Sequence, residues 1–106
     1  MTPDTTSPLR ILLHAPSMGA VARARSNAAN LLKQSQLVEV RIVVNGEAVG
    51  TVLDQPDEAA DPLTLVCPNT LARIGRTAPA PLTVLDEGAV LGIARMQAQG
   101  WHYIRA

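Results

Sequence analysis

The sequence predicts a three-layer α/β/α domain built on a parallel five-stranded sheet. Three observations carry this. Five short apolar runs of strand length are spread along the chain, and helix-compatible segments alternate with them. The apolar fraction, 47% over 106 residues, is enough for one hydrophobic core. Runs that are apolar on both faces belong to sheets covered on both sides, with right-handed crossovers between strands.

Residues 1–8 hold two prolines, three threonines and a serine and are expected to form a disordered tail, leaving residues 9–106 as a single domain. The first strand is expected over Leu9–His14 (LRILLH), too apolar on both faces for a solvent-facing edge. Ala15-Pro16-Ser17 interrupts it, and Ser17 is placed to cap a helix over 18–34 with an apolar stripe of Val21, Ala24, Ala28, Leu31 and Leu32. Leu37–Asn45 (LVEVRIVVN) is β-branched and predicts a buried strand, followed by a short helix at 46–53. Asp54–Pro62 packs four acids and two prolines into nine residues and is expected to be a solvated loop. Leu63–Cys67 predicts the third strand, Pro68 the first position of a helix, and Gly75 its C-terminal cap. Leu82–Leu85 is the fourth strand, 87–99 the last helix with a stripe of Val90, Ile93, Ala94 and Ala98, and Trp101–Ile104 the fifth strand. Gln97 falls inside that stripe and would need a hydrogen-bond partner.

Composition narrows the function. Nine Lys+Arg balance nine Asp+Glu, so no surplus charge favours nucleic acid or an anionic membrane. Two aromatic residues, Trp101 and Tyr103, make no base-stacking platform. One cysteine and two histidines cannot complete a four-ligand Cys/His zinc site, and neither metal nor cofactor is expected. The opening residues lack a signal-peptide layout and no apolar run approaches a membrane span, so the expected location is the cytoplasm.

In open parallel sheets, ligands bind beyond the carboxyl ends of the strands. His14, Asn45 and Cys67 end the first three expected strands, and Asp86 and Glu87 follow the fourth. Cys67 is the most informative, because the N–H groups opening the next helix would favour its thiolate, with Asn69 and Thr70 adding side-chain donors. The alternative is that Cys67 is a small packing residue. His14 is a candidate base or a partner for a loop carbonyl, and His102 a surface residue facing opposite to Trp101 and Tyr103. No third orienting group is evident for a Cys/His hydrolase. The two aromatics on a terminal strand suggest self-association.

Four segments together resemble the DsrE/DsrF-like family: Arg23-Ala24-Arg25-Ser26-Asn27-Ala28-Ala29-Asn30-Leu31-Leu32, Val40-Arg41-Ile42-Val43-Val44-Asn45-Gly46, Cys67-Pro68-Asn69-Thr70-Leu71, and Met96-Gln97-Ala98-Gln99-Gly100-Trp101-His102-Tyr103-Ile104. The likeness runs over about residues 9–105 in the same order, and the cysteine followed by Asn-Thr-Leu with Gln-x-x-Gly-Trp-x-Tyr-Ile is its most specific combination. The resemblance implies a parallel five-stranded α/β/α fold assembling as a homo-oligomer, trimer or hexamer. It also implies a persulfide-carrying cysteine at Cys67 that passes sulfane sulfur between donor and acceptor proteins. Pro68 stands where the family pattern favours glycine and removes one N–H donor near the sulfur. Two functions follow as expectations. One is a sulfur relay on Cys67, with Asn69 and Thr70 stabilising the anion and His14 or Asn45 lining the pocket. The other is a non-catalytic oligomeric module that binds a small anionic metabolite or a partner protein, with Cys67 structural.

Overall fold

Five parallel strands in the order β4-β3-β2-β1-β5 form the sheet of the computed structural model, which describes residues 8–106. The expected tail, apart from Pro8, lies outside the described residues. Strand β1 (Leu9–Ala15) leads through helix α1 (Met18–Gln34) to β2 (Val38–Val44), and helix α2 (Glu47–Asp54) with a 3₁₀ turn at Asp61–Leu63 leads to β3 (Thr64–Val66). Helix α3 (Pro68–Ile74), β4 (Thr83–Val84), helix α4 (Ala89–Ala98) and β5 (His102–Arg105) complete the chain. The three-layer α/β/α class expected from the apolar runs is the class observed.

Local chemistry sets the boundaries. Ser17 accepts a hydrogen bond from the Ala20 N–H at 3.3 Å and so opens α1. Gly75 ends α3 in the left-handed region at φ 67°, a conformation that costs glycine little. Gly46, at φ 56°, carries β2 into α2, and a Cβ there would meet the Pro16 carbonyl oxygen at 3.2 Å.

The order of strands decides which face each helix covers. Successive connections from β1 to β4 step across the sheet in one direction, so right-handed crossovers put α1, α2 and α3 on one face. The return from β4 to β5 spans the whole sheet and places α4 on the other. Packing agrees with this. Ile11, Leu13, Ala15, Val40, Ile42 and Val44 bury against Ala20, Val21, Ala24, Ala28, Val49, Val52 and Leu71. The opposite, smaller core joins Leu12, Val43, Cys67, Ala89 and Ile93. Neighbouring positions of β1 thus serve different cores, Ile11 and Leu13 one and Leu12 the other, which is why the middle of the strand is apolar on both faces.

Three expectations need correction. Leu32 is exposed, because the buried face of α1 runs through Ala20, Val21, Ala24 and Ala28, and Leu32 lies to its side. The stripe assigned to α4 is rotated. Ala89, Gly92 and Ile93 are buried, whereas Val90 is 76% exposed and Gln97 is also exposed, so Gln97 needs no buried partner. Gly92 lets Leu85 approach, since a Cβ there would lie 3.3 Å from Leu85 Cδ1, and this contact sets the helix's rotation. Finally, the acidic loop is not solvated throughout. Asp61 is buried, pairs with Arg25 at 3.4 Å and accepts the Asp57 N–H at 3.1 Å.

Among the described residues, no helix is long and apolar enough to cross a membrane.

Candidate functional site

Connections after β3 and β4 leave the sheet on opposite faces, and a crevice opens between them at the carboxyl ends of the strands. A cleft of about 580 Å³ occupies this position. Asn45, Cys67, Asn69 and Thr70 form one side of it, and Gly88, Ala89, Val90, Leu91 and Ala94 the other. Four of the five candidate residues therefore share one cleft. The fifth, His14, lines an adjoining cleft with Val90, Ile93, Ala94, Gln97 and Tyr103.

Strand parity explains this convergence. In a β-strand, side chains two residues apart point to the same face, and neighbouring strands lie about 4.8 Å apart. Leu12, Val43 and Leu65 sit on the α4 face of β1, β2 and β3. Two residues on, the same face carries His14, Asn45 and Cys67. Tyr103, level with Leu12 in the register of β5 on β1, extends the row. The order of strands becomes the order of the polar groups along the carboxyl edge: Cys67, Asn45, His14, Tyr103.

Cys67 is 5% exposed and caps α3. Its backbone N–H donates to the Val44 carbonyl at 3.1 Å, so the residue is tied to β2. Its Sγ accepts the Ala89 N–H, the first of α4, at 3.4 Å. Burial pushes the Cys67 thiol up. The Thr70 and Ala89 backbone N–H groups, the Thr70 hydroxyl and the Asn69 N–H favour the thiolate, and together they bring the thiol below its ordinary value. None of these donors belongs to residue 68, so the proline there does not prevent the lowering. The Thr70 hydroxyl is itself held in place, for its Oγ1 accepts the Gly46 N–H at 3.2 Å.

A lowered thiol links folding to pH with a definite sign. In the folded protein Cys67 loses its proton at a lower pH than in the unfolded chain, so the unfolded state binds more protons between the two values. The stabilisation is complete above the unfolded thiol's ordinary value and vanishes as pH falls through the lowered folded value. The stability difference between wild type and Cys67→Ser is expected to move toward wild type as pH rises through that window. Urea titrations of both proteins at several pH values check this, and a pH-independent difference would contradict it.

His14 is held at both ring nitrogens. Nδ1 lies 2.6 Å from the Tyr103 hydroxyl, and Nε2 lies 2.9 Å from Asn45 Oδ1. Neither nitrogen bonds Cys67, which gives a nucleophile–base pair no support. Tyr103 is the functional candidate that the strand ends missed, because it lies within β5 rather than at its end. Trp101 is half-buried under the guanidinium groups of Arg10 and Arg41, 5.4 and 5.9 Å from its ring centroid. Arg10 also donates to the Gln99 carbonyl and so closes the C-terminal end of α4. Asn69 is exposed and stands against Gly88 at the mouth of the cleft.

Among the described residues, no group of three or more His, Cys, Asp or Glu side chains is placed to hold a metal ion. No family model matches the chain, and no curated protein matches it.

Proposed function

We propose that this protein is a sulfur carrier of the DsrE/DsrF-like kind, which accepts sulfane sulfur as a persulfide on Cys67. The observation that carries the reading is the sulfur's surroundings: a buried Sγ on the wall of an open cleft, ringed by N–H and O–H donors that favour its anion. In the reaction, the Cys67 thiolate attacks the outer sulfur of a donor persulfide. The donor's S–S bond breaks, the donor departs as a thiolate with the electron pair, and a new S–S bond forms at Cys67 with no net oxidation. The thiolate acts as a sulfurtransferase-type nucleophile, while Thr70, Asn69 and Ala89 hold the negative charge. The reading includes a cytoplasmic location, assembly as a homo-oligomer, trimer or hexamer, and donor and acceptor proteins as partners.

A second reading is favoured by one observation. Cys67 belongs to the packed layer under α4 with Leu12, Val43, Ala89 and Ile93. As a packing residue it would leave the cleft to bind a small anionic metabolite or a partner protein. Among the described residues, no cationic side chain lines that cleft, so an anion would rely there on backbone N–H groups and neutral side chains.

Intact-mass spectrometry after incubation with a persulfide donor separates the two. Wild type is expected to gain one sulfur atom, about 32 Da, reversed by reductant, and Cys67→Ser to gain none. A folded wild-type protein that takes up no sulfur and resists iodoacetamide would favour the packing role.

A further inference from the structure

Asn45, His14 and Tyr103 form a hydrogen-bonded row. Asn45 Oδ1 can only accept, so the 2.9 Å bond requires a proton on His14 Nε2. In the Nε2–H tautomer Nδ1 is an acceptor, and the Tyr103 O–H, 2.6 Å away, donates to it. This direction also orients the carboxamide. Asn45 lies between β1, which carries His14, and β3, which leads to Cys67. Oδ1 is engaged by His14 on the β1 side, and Asn45 also lines the cleft that holds Cys67, so its amide N–H₂ is the group left to serve a ligand there. Among the described residues, no other side chain bonds that amide.

We infer that His14 and Tyr103 are positioning residues, which fix the Asn45 carboxamide as a hydrogen-bond donor to the sulfur chemistry at Cys67. The inference rests on the reading of Cys67 as a sulfur acceptor. Negative charge is present in the cleft throughout transfer, first on the Cys67 thiolate and then on the departing donor. An amide held in one orientation stabilises that charge, whereas a freely rotating one presents its oxygen as often as its nitrogen. His14 acts through Asn45 and does not itself take a proton from the sulfur.

The test uses the full chain, inorganic polysulfide as the sulfur probe and iodoacetamide as a second electrophile. Removing the ring in His14→Ala is expected to slow sulfur uptake by Cys67 about tenfold. His14→Gln, whose amide N–H can replace Nε2–H, is expected to restore the rate to within about threefold of wild type. Tyr103→Phe removes one half-exposed hydroxyl and is expected to slow uptake about threefold, and its small change protects the test against a folding failure in His14→Ala. Nitrogen-15 NMR supplies a readout that packing alone would not move. The wild-type ring is expected to show a protonated Nε2 and a hydrogen-bonded, unprotonated Nδ1, and Tyr103→Phe to shift the Nδ1 resonance. A wild-type protein that takes up sulfur, with His14→Ala and Tyr103→Phe reacting as fast as wild type, would overturn the positioning role alone. So would an Nδ1-protonated ring. A wild-type protein that takes up no sulfur would overturn the reading of Cys67, and the positioning role with it.

Discussion

Replacing Leu12 with Ala is expected to cost about 3–4 kcal/mol of folding free energy and to slow alkylation of Cys67 in the same protein. Leu12 is the largest fully buried residue of the core beneath α4, where it meets Val43, Cys67, Ala89 and Ile93. One helix of ten residues covers this face, so little can move in to fill the space. The cavity also loosens the seat of α4, whose first N–H is the one bonded to the Cys67 sulfur. Leu13→Ala provides the comparison. Leu13 is as deeply buried but packs on the opposite face, against α1. It is expected to lose a similar amount of stability while leaving the Cys67 rate unchanged. Urea unfolding and iodoacetamide kinetics on both variants measure the two effects. Equal Cys67 rates in the two would show that α4 does not hold the sulfur.

Thr70→Val is expected to slow alkylation of Cys67 at neutral pH by about tenfold, by removing a hydrogen bond to its anion. Valine keeps the shape of threonine and deletes the hydroxyl. That hydroxyl favours the thiolate and accepts the Gly46 N–H at 3.2 Å. The first loss moves the thiol back toward its ordinary value, so less thiolate exists at neutral pH. The second leaves a partly buried N–H without its partner, costing about 1–3 kcal/mol. Thr70→Ser retains the hydroxyl and is expected to keep most of the reactivity. A pH profile of alkylation distinguishes the causes, because a change in thiol acidity shifts the profile's midpoint upward. A Thr70→Val profile coinciding with wild type would show that the hydroxyl has no part in activating Cys67.

These effects connect through the α4 face of the sheet. Leu12, Val43 and Leu65 build the core there, and His14, Asn45 and Cys67 emerge from it one pleat further along. The same alternation that makes the strands pack delivers their polar ends to one edge. Tyr103 joins from β5, and Ala89 closes the row from above.

Much of this was legible in the residues. Ser17 and Gly75 mark helix ends through capping chemistry, which is local and needs no partner. The apolar runs over Leu9–His14 and Leu37–Asn45 determine a sheet covered on both faces, because only that environment removes both sides of a strand from water. Cys67 between an apolar run and Pro68 marks a strand-to-helix junction. The buried side of α4 was not legible. Its apolar residues, Ala89, Val90, Leu91, Ile93 and Ala94, occupy more than one side of the helix. The contact of Gly92 with Leu85 selects which side meets the sheet. Asp61 likewise reads as one acid among four, and only Arg25, brought over from α1, makes it a buried partner. The strands, the crossovers and the placement of Cys67 at a strand-to-helix junction follow from local sequence pattern. Which side chains stand beside that position was decided by the strand order β4-β3-β2-β1-β5, since long-range pairing, and no local propensity, places Asn45 between His14 and Cys67.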